Sequence, residues 1–225
     1  MNSTLVRPVT AELVGTALFV FVGAASVVTM AATPASAGLV VALAHGIALA
    51  VAVTATMRIS GGHLNPAVTL GLFAIRKVDG RTAAAYIAAQ LVGAVLAAAL
   101  IKGLFPAGAA RAANLGTPFL AVQVTLVQGI LIEALFTFFL MTAVLGTAVS
   151  PEAPRVGGFG IGLALTASAL AVGSLTGAVL NPARAFGPAL VALEFHAQVV
   201  YWIGPIIGAV LAALLWKVVL LPKEA

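Results

Sequence analysis

The chain has 225 residues, of which 62% are hydrophobic and 8% are charged, and its mean hydropathy is +1.18. In soluble globular domains roughly a quarter of the residues are charged, so this composition excludes a soluble domain and indicates an integral membrane protein. The net charge of +5 comes from scattered residues without a basic run, which argues against a nucleic-acid partner, and the absence of cysteine excludes disulfides and thiolate metal sites.

Six apolar segments follow one another along the chain, near residues 11–32, 38–57, 83–101, 122–149, 156–175 and 197–221. Each has about 18 residues or more, which is enough for a helix to cross a hydrocarbon core about 30 Å thick. The segments lack the alternation with a period of two that barrel strands show. The sequence therefore predicts an all-α membrane protein with six transmembrane helices, organised as a single domain over residues 1–225.

The basic residues are distributed unevenly between the two sides of the predicted membrane. With the amino terminus inside, Lys102 and Arg111 fall outside, and the cytoplasmic side holds Arg7, Arg58, Arg76, Lys77, Arg81, Arg155, Lys217 and Lys223. Cytoplasmic loops carry an excess of lysine and arginine in membrane proteins. We therefore predict that both termini are cytoplasmic, and we expect the plasma (inner) membrane as the location.

The chain repeats itself at an offset of about 115 residues. Residues 86–100 read YIAAQLVGAVLAAAL and residues 201–215 read YWIGPIIGAVLAALL, while Leu-Asn-Pro-Ala occurs at 64–67 and again at 180–183. The two repeats, about 8–110 and 122–221, hold three crossings and one motif each. Because three is an odd number, the second repeat enters the membrane from the opposite side, and a pseudo-two-fold axis in the membrane plane relates the repeats.

Each Asn-Pro pair has the features of a helix start. Asparagine is among the best N-cap residues, and proline suits the first helical turn because its missing amide would be unpaired there. The apolar runs from Pro66 to about 74 and from Pro182 to about 192 would form helices about 14–16 Å long, half of a bilayer. The preceding glycine-containing segments are expected to be non-helical, which is tolerated at membrane depth beside a watery cavity. We predict two re-entrant half-helices that meet by their N-termini near the midplane.

This geometry predicts a pore for neutral molecules. Two helix N-termini at one place would put positive partial charge there and repel cations. Asn65 and Asn181 would cap with their amide oxygens and offer their N–H groups to the lumen. A water molecule that accepts from both would turn its hydrogens away along the pore, which breaks a hydrogen-bonded wire for protons. Backbone carbonyl groups would line the pore as acceptors at Gly61, Gly62, His63, Gly177, Ala178 and Val179.

The paired boxes, the Ser60-Gly61-Gly62-His63-x-Asn-Pro-Ala stretch, Arg184 after the second box and the repeated glutamate helices resemble the aquaporin, or major intrinsic protein, family. The resemblance covers nearly the whole chain. It implies a right-handed bundle of six helices with two re-entrant half-helices, and a homotetramer with one pore per subunit that conducts water and excludes protons and ions. The motif residues of the pore would be Asn65, Pro66, Ala67, Asn181, Pro182 and Ala183.

The resemblance also places four positions at the narrowest point of the pore: His45, Ala169, Ala178 and Arg184. Water-selective members commonly pair a phenylalanine on the second helix with a histidine on the fifth, so His45 with Ala169 is a departure. It is similar to the plant tonoplast intrinsic proteins, some of which also pass ammonia or urea. Because the two alanines remove bulk, we rank water first and small neutral solutes (ammonia, urea, glycerol or hydrogen peroxide) second.

Several residues have a second interpretation. His45 is either a pore residue or a packed histidine that bonds a backbone group of its helix, and for His63 we favour a bond that braces its loop over contact with the lumen. Glu12 and Glu133 would couple protons in a secondary transporter, whereas in the interpretation we favour they accept hydrogen bonds from the re-entrant loops. The sequence has no nucleophile constellation, metal-ligand pattern or phosphate-binding loop, so we predict no enzyme activity, no metal and no cofactor.

Overall fold

The structure is a computed structural model that describes residues 3–222, so Lys223 lies outside the described part. Within that part the chain forms nine α-helices and no strand, in agreement with the predicted all-α class. In chain order these are α1 (Ser3–Met30), α2 (Pro34–Ser60), α3 (Pro66–Ala74), α4 (Gly80–Leu104), α5 (Ala107–Ala112), α6 (Leu126–Val144), α7 (Phe159–Thr176), α8 (Pro182–Ala192) and α9 (Gln198–Leu215).

Six helical segments are long and apolar enough to cross a membrane, which confirms the predicted number of crossings. They are Leu5–Met30, Ala35–Ser60, Gly80–Leu104, Leu126–Val149, Phe159–Thr176 and Gln198–Leu220. Short π-helical turns extend α6 at Leu145–Val149 and α9 at Trp216–Leu220. Leucine and isoleucine side chains on the outer surface are largely exposed, for example Leu18, Ile47 and Leu131. Such an apolar exterior suits contact with lipid.

The fourth crossing begins later than the prediction of residue 122. Helix α6 starts at Leu126, because Thr125 and Gln128 form a capping box in which each side chain bonds the backbone of the other. The preceding segment also differs from a simple loop, since it holds the short helix α5 and a 3-10 turn at Asn114–Gly116.

Glycine allows the long helices to pack closely at repeat-related places. A Cβ atom at Gly93 on α4 would meet the carbonyl oxygen of Leu13 on α1, and one at Gly208 on α9 would meet the carbonyl oxygen of Ala134 on α6. Small residues at helix crossings let two backbones approach each other in membrane proteins. The pairs α1/α4 and α6/α9 are thus the same packing unit, present once in each repeat.

The two half-helices begin and end at the predicted residues, Pro66–Ala74 for α3 and Pro182–Ala192 for α8. Their N-caps are Asn65 and Asn181, whose side-chain oxygens accept hydrogen bonds from the first backbone amides of the helices. Alanine and leucine from both repeats pack around these helices in one core cluster, which includes Leu64, Ala67, Leu180 and Ala183. The half-helices are therefore buried inside the bundle.

Candidate pore

A buried carboxylate holds the segment that leads into the first half-helix. Glu12 on α1 is fully buried, and its Oε1 accepts hydrogen bonds from the Ser60 hydroxyl at 2.6 Å and the His63 amide at 2.9 Å. Its Oε2 accepts from the Leu64 amide and from the Gln90 side chain, both at 2.7 Å. Four donors therefore satisfy this carboxylate, which otherwise would be costly to bury.

The second repeat contains the same arrangement with one donor fewer. Glu133 on α6 is fully buried and accepts from the Thr176 hydroxyl at 2.7 Å and from the Val179 and Leu180 amides at 3.0 and 2.8 Å. The repeat-related position of Gln90 is Pro205, which has no side-chain donor. Both glutamates thus bond the backbone of a re-entrant loop, the arrangement that the favoured sequence interpretation described.

These hydrogen bonds hold a strained backbone in both loops. Leu64 has a φ of 49° and Leu180 a φ of 54°, in the left-handed region that non-glycine residues seldom occupy. Gly61 and Gly177 lie in the same region and end α2 and α7. Such a backbone conformation costs about 1–3 kcal/mol and persists only where contacts with the rest of the protein hold it. Here the hydrogen bonds from the leucine amides to the two carboxylates hold it.

The two motif asparagines cross-link the repeats. Asn65 Nδ2 donates to the Leu180 carbonyl at 2.7 Å, and Asn181 Nδ2 donates to the Leu64 carbonyl at 2.9 Å. The sequence analysis predicts that both side-chain N–H groups of each asparagine face the lumen. The structure differs, because one of the two donates to a backbone carbonyl of the other repeat. One N–H on each asparagine is left for a molecule in the cavity that both side chains line.

Two neighbouring spaces share lining residues, and the smaller one lies at the asparagine pair. The space at the asparagine pair offers about 10 Å³ to the centres of water molecules, which is room for about one water. Its apolar walls include Phe19, Leu49 and Leu165. On the side of the predicted cytoplasmic loops a much larger vestibule of about 460 Å³ opens, bordered by Asp79 and Tyr86 among others.

Of the predicted backbone acceptors, Gly62, His63 and Val179 line the midplane cavity and Gly61 lines the vestibule. Gly177 and Ala178 line neither of these two spaces, so their contribution stays a prediction. His63 has two roles that the sequence interpretation set against each other. Its ring bonds the Thr69 hydroxyl at 3.1 Å and also borders both spaces.

Arg184 lies beside His45, and the place of both residues in a filter stays a prediction. Nε and Nη2 of Arg184 are 3.3 and 3.1 Å from Nε2 of His45, and the other ring nitrogen of His45 is 2.9 Å from the Val41 carbonyl. Because arginine only donates and a carbonyl only accepts, the histidine is neutral with its proton on Nδ1. His45 thus bonds a backbone group of its own helix, as one of its two interpretations has it, and the same ring orients Arg184. Its role as a pore residue stays a prediction.

Two residues near the filter carried no signal that the sequence analysis used. Gly116 has no side chain, but its backbone carbonyl accepts a hydrogen bond from Nη1 of Arg184 at 2.9 Å. Gly23 on α1 leaves space for the His45 ring, since a Cβ atom there would lie 2.5 Å from Cδ2 of that ring. The other two predicted filter residues have small side chains, Ala178 being buried and Ala169 partly exposed.

Comparison with known proteins places this arrangement in context. The description of the major intrinsic protein family matches residues 1–216. The chain is 44% identical over 222 residues to aquaporin TIP4-4 of Zea mays, with 94% of this chain and 85% of that relative covered. It is 39% identical over 223 residues to aquaporin TIP2-1 of Arabidopsis thaliana, with 93% and 86% covered. The X-ray structure of the aquaglyceroporin from Plasmodium falciparum superposes with a TM-score of 0.87 at 23% identity, over 96% of each chain, which is a likeness of fold.

Proposed function

Because the chain belongs to the major intrinsic protein family, we propose that it is a passive channel that conducts water across a membrane and excludes protons and ions. The observation that carries this proposal is the pair of capped asparagines at a cavity with room for about one water. The relatives with 44% and 39% identity are named aquaporins.

Proton exclusion follows from the donors at the midplane. Asn65 and Asn181 each keep one N–H for the cavity, and the N-termini of α3 and α8 add positive partial charge beside them. A water held by both donors must accept with its oxygen, so its own hydrogens point along the pore in opposite directions. A chain of waters that all donate in one direction, which proton transfer needs, is interrupted at that water.

Cation exclusion follows from the charge on Arg184. Its side-chain partners are the neutral His45 ring and the Gly116 carbonyl, so no carboxylate cancels the guanidinium charge through these bonds. A buried charge of this kind inside a membrane protein raises the barrier for ions of the same sign. Neutral molecules face no such barrier.

Small neutral solutes are the second candidate substrates. Ala169 and Ala178 place only methyl groups at two of the four filter positions, which leaves more room there than larger side chains would. We therefore propose that ammonia, urea, glycerol or hydrogen peroxide pass more slowly than water. The transporter alternative has less support, because every oxygen of the buried Glu12 and Glu133 carboxylates already accepts a loop or side-chain hydrogen bond.

The chain is an integral, multi-pass membrane protein, and its assembly and location are further proposals. By its resemblance to the family, we propose a homotetramer with one pore per subunit. The relatives named TIP carry the designation of tonoplast intrinsic proteins, so they give no support to the expectation of a plasma membrane. We propose no enzymatic activity, since the described pore residues serve conduction.

Stopped-flow light scattering on proteoliposomes tests the proposal. Under an impermeant osmotic gradient, vesicles with the protein should shrink much faster than empty vesicles, at a rate with a lower activation energy. Inward gradients of urea, glycerol and ammonia then show which solutes follow water. Shrinkage no faster than that of empty vesicles would contradict the water channel, and flux that depends on a proton gradient would favour the transporter.

A further inference from the structure

The repeat relates the outer filter to a second set of residues on the cytoplasmic side. His45 lies 20 positions before Asn65, and the other three filter residues lie 12 and 3 positions before Asn181 (Ala169, Ala178) and 3 after it (Arg184). When the same distances are counted from the other asparagine, they lead, in that order, to Ile161, Val53, Gly62 and Val68. Gly23, which makes room for His45, lies 11 positions after Glu12. The position 11 residues after the repeat-related Glu133 is Val144. The polar outer ring thus has an apolar inner counterpart.

The cavities identify four of these five residues independently of the repeat, and the fifth, Val53, borders only the small midplane space. Five residues border both the small midplane space and the large vestibule, namely Gly62, His63, Val68, Val144 and Ile161. Residues shared by two adjoining spaces lie where one opens into the other, so we call these five residues the inner neck. Four of them are repeat counterparts of the outer filter and of Gly23.

From this coincidence we propose that the inner neck is a second selectivity constriction, which slows urea and glycerol more than water after they pass the alanine-widened outer filter. This inference rests on the proposed water channel and deepens it. In the outer ring, the N–H groups of Arg184 that its bonds to His45 and Gly116 leave over remain for a passing solute, whereas three of the five residues of the inner neck are valine or isoleucine.

The chemistry of the neck explains why it would discriminate. A solute that enters an apolar passage loses hydrogen bonds to water, and each polar group left without a partner costs about 1–3 kcal/mol on protein scales. Water is small enough to keep contact with the two polar members of the neck, the His63 ring and the Gly62 backbone, and with the next water. Urea and glycerol carry several polar groups and more volume, so the same walls leave more of their groups unpaired.

A matched pair of variants tests the neck. Val68→Ala removes two methyl groups from it, and Val28→Ala makes the same change at an equally buried site on α1 that borders neither space. We expect Val68→Ala to raise the ratio of urea to water permeability about tenfold. This is the lower end of the range of discrimination that one methylene group gives in an apolar pocket. Val28→Ala should leave that ratio at the wild-type value.

The outcomes separate this inference from the proposed function. If the wild type does not conduct water, the proposed function fails first; if it conducts water and Val68→Ala keeps the wild-type ratio, only the inner neck is refuted. An equal rise in Val28→Ala would also refute it. Should Val68→Ala lose its water permeability, the milder Ile161→Val decides, with a smaller rise of the ratio expected and an unchanged ratio refuting the neck.

Discussion

Replacing Glu133 by glutamine changes the bracing of the second re-entrant loop with little change in volume. The carboxylate accepts from the Thr176 hydroxyl and the Val179 amide on one oxygen and from the Leu180 amide on the other. Glutamine has one oxygen and one NH₂ group, so it keeps at most two of these bonds. When the glutamine oxygen keeps the bonds from Thr176 and Val179, the buried Leu180 N–H faces the glutamine NH₂ group, which is also a donor, and has no acceptor.

The expected cost follows from these three hydrogen bonds. A buried amide left without an acceptor costs about 1–3 kcal/mol, and hydrogen bonds to a charged group are roughly twice as strong as neutral ones. One lost bond and two weakened bonds together give about 2–5 kcal/mol. For a chain of this length each kcal/mol lowers Tm by roughly 2–4 °C, so we expect a decrease of about 10 °C.

Thermal unfolding of the purified protein, followed by tryptophan fluorescence, measures this change. Glu152→Gln, at an exposed loop position, provides the matched control and should unfold at the wild-type temperature. Water permeability of Glu133→Gln should fall as well, because Leu180 carries the carbonyl that Asn65 bonds. Equal Tm values for Glu133→Gln and Glu152→Gln would refute the bracing role of the carboxylate.

Two further variants test the start of α4 and the filter. Asp79 accepts hydrogen bonds from the Thr82 hydroxyl and from the Thr82 and Arg81 amides, chiefly those of Thr82, which lowers its pKa. Because the pKa of Asp79 is lower in the folded state, its charged form adds stability above the unfolded pKa near 4, and this part is lost as the pH falls further. The Tm of Asp79→Ala should therefore lie further below wild type at pH 7 than at about pH 2. A Tm difference of the same size at both pH values would contradict this. Arg184→Ala should raise urea and cation flux in vesicles, because it removes the filter charge; a selectivity equal to wild type would argue against Arg184 as a filter residue.

The half-helices could be predicted from the sequence because their determinants are local. Asparagine and proline fix a helix start by backbone chemistry alone, and both predicted ranges agree with α3 and α8. The inverted repeat followed from the odd number of crossings per half. The first inference used residues that lie close together in the chain, and the second used a sequence repeat that is visible without any tertiary contact.

Other parts of the site depend on contacts that no local pattern specifies. The Gly116 carbonyl reaches Arg184 because a 3-10 turn with left-handed Leu115 brings it there, whereas the sequence analysis assigned no element between residues 101 and 122. The cross-repeat bonds of the asparagines join residues more than 100 positions apart. Only the tertiary arrangement brings these partners together.

The most direct test of the account measures water and proton flux in the same vesicles. Proteoliposomes loaded with a pH-sensitive dye are exposed first to an osmotic gradient and then to a pH gradient, with a potassium ionophore present to remove any membrane potential. The account predicts fast shrinkage and a proton leak equal to that of empty vesicles. Fast shrinkage together with an increased proton leak would contradict the role assigned to Asn65 and Asn181.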